Sequence, residues 1–284
     1  MASQIDLHMH STASDGTDTP AELVGKITDA GIQVFALTDH DTVGGVEEVT
    51  GLVPEYVTFI PGIEFSCRMD SGKCHILGYG CDIHAPAFQE ILSVGAGLRR
   101  GKLEKRLAFL RERGIVFPED EVALLHQLPS AGKPHLGNLM VKYGYAGSKN
   151  EAIENTINLC HTGTSRVPAE MAVKAILASG GIPVWAHPLG GEGEKEISEA
   201  QFHAMLEELL GYGLKGLECF YSKYPMDRCE WLAGIAVQHD LLISGGSDYH
   251  GKNKAIELGT LNRDNAGVPE ERITLAEYLK TQHS

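Results

Sequence analysis

The chain has 284 residues and a formal net charge of −14. Its hydrophobic content of 43% and charged content of 22% are ordinary for a globular protein, in one domain with an insertion or in two domains. No apolar run reaches the roughly 20 residues of a membrane span, and the chain opens on a strand pattern without a basic, apolar leader, so we expect a cytoplasmic protein with no membrane partner. The acidic balance argues against extended nucleic acid as a partner, because binding it requires clustered lysine and arginine.

The first 85 residues alternate short apolar runs with amphipathic helical stretches, which is typical of parallel β-α units. "IDLHMH" (5–10) is predicted to be a strand, and "TPAELVGKITDAGI" (19–32) a helix with Thr19 as N-cap, Pro20 in its first turn and Gly31 at its end. "VFALTDH" (34–40) has the near-continuous apolar character of a buried parallel strand. Two more strands are predicted in "VTFIPGIEFS" and "CHILGYG".

Residues 86–165 interrupt this pattern. They contain a long helical stretch, "FQEILSVGAGLRRGKLEKRLAFLRERG", and several shorter ones without a convincing strand, which is too much for a simple connection. The strand and helix units then resume, with strands predicted in "IPVWAHP", "LKGLECF" and "LLISGGSDYH". We interpret residues 1–85 and 166–284 as one α/β barrel domain and residues 86–165 as a mostly helical insertion, or cap.

Histidines and carboxylates recur at the ends of the predicted strands, where the loops of a β/α barrel gather around one mouth. His8 and His10 end the first strand, and because strand side chains alternate between faces, both imidazoles point the same way and can bind one ion. Asp248 and His250 repeat the two-residue spacing at the last strand. The other candidates of this kind are Asp15, Asp39, His40, Glu64, His75 and His187.

Each of these residues also has an ordinary explanation when it is taken alone. A single H-x-H is more often a partly exposed strand end than a metal pair, and a single glutamate such as Glu64 is more often a helix cap or a surface carboxylate. The combination favours a metal site, because burying so many ionisable groups without a counter-ion is costly. Ligation by imidazole and carboxylate without cysteine suits manganese, iron or zinc, and composition does not choose among them.

The ordered motifs "DLHMHSTASDG", "ALTDHD", "GIEFS", "CHILGYG", "VWAHP" and "SGGSDYHG" resemble those of the PHP (polymerase and histidinol phosphatase) superfamily of metal-dependent phosphoesterases. The resemblance implies a distorted (β/α)7 barrel that holds two or three divalent ions, with manganese foremost and iron or zinc as alternatives. It places the metal ligands at His8, His10, Asp15, His40, Glu64, His75, His187, Asp248 and His250. Asp39 is expected to orient a metal-bound histidine rather than to bind metal itself.

Two segments of the insertion, "GKPHLGNLMVKYG" and "LRRGKLEKRL", are similar to cap segments of PHP members that act on nucleotides, among them a 3',5'-bisphosphonucleotide phosphatase and a 5'-3' exoribonuclease. This likeness makes His135 the candidate general acid or phosphate contact, with an ordinary cap histidine as the alternative. It makes Lys133, Arg166 and Arg99 candidate phosphate-binding residues, with solvated surface charges as the alternative. The chain departs from the expected pattern at "TGTSRVP", where a glycine-lysine pair and an aromatic residue are missing, and Arg166 can supply the charge.

The predicted activity is hydrolysis of a phosphate ester by metal-activated hydroxide, with release of phosphate from a small phosphorylated substrate such as a nucleotide or a cyclic phosphate. The first alternative is a 5'-3' exonuclease on short RNA or DNA, and the second is a non-catalytic metal-binding PHP module. "GGEGEKE" (190–196) lacks the G-K-[ST] ending of a phosphate loop, and we expect it to be a flexible loop at the rim of the site.

Overall fold

The structure is a computed structural model of the chain and describes residues 3–128, 131–192 and 194–282. The described residues form eight strands: β1 (Ile5–Asp6), β2 (Val34–Leu37), β3 (Thr58–Met69), β4 (Gly72–Tyr79), β5 (Val167–Pro168), β6 (Ile182–Ala186), β7 (Gly216–Tyr221) and β8 (Leu242–Gly246). The same ranges contain ten α-helices: α1 (Pro20–Asp29), α2 (Gly44–Thr50), α3 (Pro86–Arg111), α4 (Glu119–Gln127), α5 (Lys133–Lys142), α6 (Lys149–Asn155), α7 (Ala169–Ala178), α8 (Glu199–Tyr212), α9 (Met226–Gln238) and α10 (Thr274–Gln282). None of these helices has the length and apolarity needed to cross a membrane.

Seven of the strands follow one another around a sheet in the order β1-β2-β3-β4-β6-β7-β8, and the short β5 pairs with β3 off this path. Main-chain hydrogen bonds join the two ends of the sheet. The Leu7 N–H donates to the Gly245 carbonyl (3.1 Å), and the Asp248 N–H donates to the His8 carbonyl (2.8 Å). The predicted distorted seven-stranded α/β barrel is therefore confirmed, and the segments that carry the first and last histidine motifs lie side by side.

Strand β4 departs from the predicted parallel pattern. It pairs antiparallel with both β3 and β6, because the two-residue turn at positions 70 and 71 is too short for a parallel crossover. In this register Ser66 lies opposite His75, and Glu64 lies opposite Leu77. The hairpin brings His75, which is near the start of its own strand, to the same end of the barrel as Glu64.

The start of α1 follows directly from its sequence. The Thr19 side chain accepts the Glu22 N–H (3.2 Å), and the Glu22 carboxylate accepts the Thr19 N–H (2.8 Å), which is a capping box with Pro20 in the first turn. The predicted N-cap is thus confirmed. Leu23 and Ile27 lie on one face of the helix and are buried in the core beside the barrel, and each contributes about 2 kcal/mol through removal of apolar surface from water.

The chain divides into two compact units. The first consists of Met1–Ile91 and Val167–Ser284 and contains the barrel, and the second consists of Leu92–Arg166. The second unit has its own apolar core, to which α3 and α5 contribute Leu103, Leu107, Leu110, Leu136, Leu139 and Met140. The predicted insertion starts at residue 86, where α3 begins, whereas the second unit starts at Leu92, inside the same helix.

Candidate metal centre

The nine predicted metal ligands come together in the first unit. Strands β1, β2, β6 and β8 end earlier than predicted, so that most of these side chains lie in the loop segments after a strand, whereas Glu64 and His75 lie within β3 and β4. His8 and His10, for example, lie beyond β1 and are held by a parallel bridge between Met9 and Tyr249. The residues that converge are His8, His10, Asp15, His40, Glu64, His75, His187, Asp248 and His250.

Glu64 lies at the centre of the cluster and is completely buried. Its Oε2 atom is 3.2 Å from the Nε2 atoms of both His8 and His10 and 3.1 Å from His40 Nδ1. Its Oε1 atom is 2.9 Å from His75 Nδ1 and 3.0 Å from His187 Nε2. The two oxygens therefore face two different sets of imidazoles.

Asp248 approaches the same histidines from the last strand. Its Oδ1 atom is 3.4 Å from His10 Nε2 and 3.6 Å from His8 Nε2. Its Oδ2 atom accepts hydrogen bonds from the Tyr221 hydroxyl (2.9 Å) and from Lys254 Nζ (2.6 Å). One oxygen thus anchors the carboxylate, and the other faces the cluster.

Asp15 and His250 complete the cluster on the side of the first loop. His250 Nε2 is 3.2 Å from Asp15 Oδ1, and the rings of His10 and His250 stack with their centroids 4.0 Å apart. The ligand atoms form three close groups, within each of which every pair lies within 4.8 Å: His10, Asp15, His40 and His250; His8, His10 and Asp248; and His40, Glu64 and His75.

Two members of the cluster have left-handed backbone conformations. The φ angle is 27° at His187 and 57° at Asp248. Such conformations cost on the order of 1 kcal/mol or more for residues other than glycine, and they concentrate at functional sites. The fold therefore accepts strain at the positions where these two side chains are aimed into the cluster.

The donor set fits divalent metal ions. Four buried atoms of the cluster have no hydrogen-bond partner among the described residues: His8 Nε2, His10 Nε2, His40 Nδ1 and Glu64 Oε2. Buried polar atoms are almost always satisfied by a partner, and imidazole nitrogens and carboxylate oxygens are the usual ligands of zinc, manganese and iron. A cation bound by these four atoms would provide the partner that each of them lacks.

The charges of the cluster are strongly coupled. Burial would raise the pKa of the Glu64 carboxyl, but the imidazoles of His40, His8 and His75 hold it well below its usual range. Burial would lower the pKa of His10, but the adjacent carboxylates of Asp248 and Glu64 raise it to about 9. Carboxylates that remain ionised while buried require positive charge beside them, and protonated imidazoles or metal ions supply it.

Among the described residues, the hydrogen bonds of Asp39 come from serines rather than from a histidine. Its carboxylate accepts hydrogen bonds from the Ser11 N–H (2.8 Å), the Ser11 hydroxyl (2.7 Å) and the Ser14 hydroxyl (2.6 Å). The Ser14 hydroxyl in turn lies 3.4 Å from His10 Nδ1. Asp39 therefore shapes the loop after β1, and its influence on His10 passes through Ser14.

Three residues that support the cluster were not predicted. Glu218 contacts His8 and the backbone of His187, and Tyr221 and Lys254 hold Asp248. The signal that could have identified Glu218 is its charge within the otherwise apolar strand "LKGLECF". No local pattern singles out the tyrosine or the lysine.

The candidate substrate-binding residues belong to the second unit. His135 lies in the first turn of α5, where its Nδ1 accepts the Gly132 N–H (3.1 Å). Partial burial, and then neighbouring positive charge, lowers the pKa of Lys102 to about 8. The cations responsible are Arg106, Lys133, Arg166 and Arg99. Each of the three cations predicted to bind phosphate therefore lies close enough to Lys102 to affect its pKa.

A cavity of 430 Å³ opens beside two members of the cluster, His75 and His187. Gly190, Glu194 and Lys195, from the "GGEGEKE" segment, also line it. This agrees with the predicted position of that segment at the rim of the site, and residue 193 of the segment lies outside the described residues.

Comparison with known proteins shows similar chains with three different activities. The chain is 31% identical over 268 residues to the 5'-3' exoribonuclease Rnm of Escherichia coli, covering 89% of this chain and 87% of that protein. It is 30% identical over 255 residues to a phosphoribosyl 1,2-cyclic phosphate 1,2-diphosphodiesterase of Eggerthella lenta, covering 87% and 94%. It is 28% identical over 257 residues to a 3',5'-nucleoside bisphosphate phosphatase of Chromobacterium violaceum, covering 87% of each chain.

The fold has solved relatives as well. The structure of an amidohydrolase from Chromobacterium violaceum with bound sulfate superimposes with a TM-score of 0.78 at 25% identity, covering 98% of this chain and 96% of that one. The sequence profile of the PHP domain matches residues 6–169, which include six of the nine clustered residues. With its barrel, its nine converging side chains and this match, the chain belongs to the PHP domain family.

Proposed function

We propose that the protein hydrolyses phosphate esters with divalent metal ions and releases phosphate from a small phosphorylated substrate, either a nucleotide or a cyclic phosphate. The observation that carries this proposal is the convergence of nine imidazole and carboxylate side chains, with four buried ligand atoms that lack a hydrogen-bond partner among the described residues. The relatives support it, since all three are named as enzymes that cleave phosphate esters.

We assign the nine converging residues as the ligands of two or three ions, with manganese foremost and iron or zinc as alternatives. Glu64 is suited to serve two ions, because its two oxygens face different imidazoles. When bound, adjacent divalent ions supply hydroxide at neutral pH and neutralise phosphoryl charge, so that no side-chain nucleophile is required. The chain's own part is to hold the ligands in a buried, preorganised arrangement, as Tyr221 and Lys254 do for Asp248.

We assign recognition of the substrate phosphate to Lys133, Arg166 and Arg99, whose clustered charges suit a phosphate dianion. We assign His135 as the general acid or a phosphate contact. Because its Nδ1 accepts the Gly132 N–H, the neutral imidazole carries its proton on Nε2 and presents a donor there. That N–H can donate a hydrogen bond to a phosphate oxygen, whereas the general-acid role requires the ring first to take up a second proton on Nδ1.

A 5'-3' exonuclease acting on short RNA or DNA is the second candidate function. The clustered cations of the second unit and the similarity to the Escherichia coli exoribonuclease favour it. The net charge of −14 opposes a long nucleic-acid footprint. A non-catalytic PHP module is the weakest alternative, because such a module would be expected to lack metal ligands, and all nine residues are present.

The test is a phosphate-release screen on the metal-stripped full chain with added Mn²⁺. The substrates are nucleoside mono- and bisphosphates, cyclic phosphates and short oligonucleotides. We expect phosphate release from the small molecules, and release of mononucleotides from the oligonucleotides, without phosphate release from the small molecules, would identify the exonuclease instead. The substitution His10→Ala should abolish activity, whereas His239→Ala, at an exposed position after α9, should retain it. Full activity of His10→Ala, or no metal bound by the purified protein, would contradict the proposal.

A further inference from the structure

Glu218 is a buried carboxylate on β7 that is not among the nine ligands. Its side chain is completely inaccessible to solvent. Its Oε1 atom is 2.8 Å from His8 Nδ1, and its Oε2 atom accepts the backbone N–H of His187 (2.6 Å). One carboxylate thus connects two residues of the cluster, His8 and His187, that lie far apart in the sequence.

A β-bulge in β7 directs this carboxylate into the barrel. In the pairing with β8, Glu218 lies opposite Ser244 and Phe220 lies opposite Gly245, so Cys219 is an extra residue. In a regular strand, residues three apart point to opposite faces. The extra residue lets both Glu218 and Tyr221 face the cluster, where Tyr221 holds Asp248. Bulges of this kind re-aim side chains next to active sites.

The hydrogen bond from His8 determines which of its nitrogens can bind metal. A carboxylate accepts but does not donate, so the proton between His8 and Glu218 belongs to His8 Nδ1. The lone pair of the neutral ring then lies on Nε2, which is 3.2 Å from Glu64 Oε2 and 3.6 Å from Asp248 Oδ1. The ring orientation and the tautomer both favour ligation through Nε2.

The second oxygen acts on the backbone of the other ligand. His187 has a φ angle of 27°, a conformation that is strained for any residue except glycine. Its N–H donates to Glu218 Oε2, and its Nε2 lies 3.0 Å from Glu64 Oε1. The hydrogen bond compensates for the strain at the position where the ring must turn towards the cluster.

We propose that Glu218 is a positioning residue that sets the Nδ1-protonated tautomer of His8 and holds the strained backbone of His187, so that both rings present Nε2 to the metal ions. This inference rests on the proposed function, because it presupposes that the cluster binds metal. It differs from ligation by Glu218 itself, since both oxygens are engaged by N–H donors of the ligands.

The test compares zinc binding by Glu218→Gln and Glu218→Asp with the wild-type chain, in competition with a chromophoric chelator. Glutamine keeps the shape but replaces one acceptor with a donor, and we expect about 10- to 100-fold weaker zinc affinity. Aspartate keeps the charge but is one methylene shorter, and we expect an intermediate loss. The matched control is Glu208→Gln, a carboxylate in the same unit that binds Ser71 and Tyr212 and should leave zinc affinity unchanged.

A second readout is the long-range ¹H–¹⁵N spectrum of the histidine rings in the zinc-loaded protein. The wild-type His8 ring should be protonated at Nδ1 and metal-bound at Nε2. This measurement tests the proposed tautomer of His8 even if Glu218→Gln does not fold. Wild-type zinc affinity in both Glu218 variants, metal bound at His8 Nδ1, or loss of one whole ion with unchanged affinity for the others would each overturn the positioning role. Absence of both zinc and manganese binding by the wild-type chain would overturn the proposed function as well.

Discussion

At the scale of single residues, the central feature of the site is a carboxylate surrounded by imidazoles. Glu64 is within 3.2 Å of a nitrogen of each of five histidines: His8, His10, His40, His75 and His187. A negative charge completely enclosed by nitrogen ligands is a poor arrangement for stability alone, because desolvating the charged groups is costly. The arrangement is better explained as a site for cations.

We therefore expect Glu64→Gln to bind less metal than the wild type and to lose at least about 100-fold in phosphate release, since the amide keeps the volume but removes the charge that attracts the ions. Metal per chain, by plasma mass spectrometry, and initial rates with Mn²⁺ would be measured together. The control Glu170→Gln alters an exposed pair with Lys174 in α7 and should match the wild type. Unchanged metal content in Glu64→Gln would remove Glu64 from the ligand set.

Asp39 illustrates a buried acceptor shared by several donors. Three donors from Ser11 and Ser14 depend on its carboxylate. Asp39→Ala should lower the free energy of unfolding by about 2–4 kcal/mol, because buried donors left without acceptors carry their full desolvation cost. Ser14→Ala removes one of these bonds and should cost about 1 kcal/mol. Urea unfolding of the metal-stripped chains would measure both, and equal costs for the two variants would contradict this account.

At the scale of secondary-structure elements, the contact between the ends of β8 and β1 sets the position of His8. A Cβ atom added at Gly246 would overlap the backbone N and the Cβ of His8. Glycine is thus required at position 246 because the two segments approach each other closely. A positive φ angle is not the reason, since Gly246 does not have one.

Gly246→Ala should therefore destabilise the fold by about 1–3 kcal/mol, as overpacking does, and weaken metal binding by displacing His8. Gly234→Ala is the matched control, because a methyl group there meets open space on α9 and should stabilise the helix by about 0.5–1 kcal/mol. Thermal unfolding with and without Zn²⁺ would show both effects. A Gly246 variant with wild-type stability would mean that the strands can separate without cost.

The β3–β4 hairpin is held to α8 by Glu208. Burial would raise the pKa of this carboxyl, but hydrogen bonds from Ser71, Tyr212 and the backbone of Asp70 lower it to about 2 from an ordinary 4.5. Because the folded-state pKa is depressed, the stabilisation is present above pH 4.5 and is lost as the pH falls towards 2.

We expect Glu208→Gln to be less stable than the wild type by about 1 kcal/mol at pH 6. Since protonation removes the advantage of the charged form, the difference should shrink between pH 4.5 and pH 2. Urea midpoints over this range would be measured on both proteins. If the difference in stability between the two proteins stayed constant with pH, the charge of the Glu208 carboxylate would be irrelevant to the contact between the β3–β4 hairpin and α8.

At the scale of the whole molecule, the metal centre connects segments that lie far apart in the chain. Its candidate ligands, from His8 to His250, belong to both sequence segments of the first unit. Any ligand that binds the folded chain and not the unfolded chain stabilises the fold, by about 2.7 kcal/mol at a concentration 100 times its dissociation constant.

Removal of metal with a chelator should therefore lower the Tm by about 5–10 °C, given the usual 2–4 °C per kcal/mol for proteins of this size class. Addition of Mn²⁺ should restore it. In His10→Ala the Tm should respond much less to either treatment, because that ring belongs to two of the three close ligand groups. An identical response of the two proteins would place the stabilising metal elsewhere.

Much of the fold was predictable because its signals are local. Short stretches of sequence are enough to predict three features: the alternation of strands and helices, the helix start at Thr19 and the helical character of residues 86–165. The antiparallel direction of β4 and the bulge at Cys219 were not predicted, because the alternation pattern of a strand is the same whichever way it pairs.

The sequence by itself determined the types of candidate ligand. Imidazoles and carboxylates can bind metal ions wherever the fold places them, and their H-x-H and D-x-H spacing at predicted strand ends made them recognisable. Only the tertiary structure decided how they are arranged. It brought His75 to Glu64 through an antiparallel hairpin, attached Asp39 to two serines, and set Glu218 against His8, 210 residues away. These contacts depend on strand order, register and a bulge, and such long-range relations leave no pattern in the local sequence.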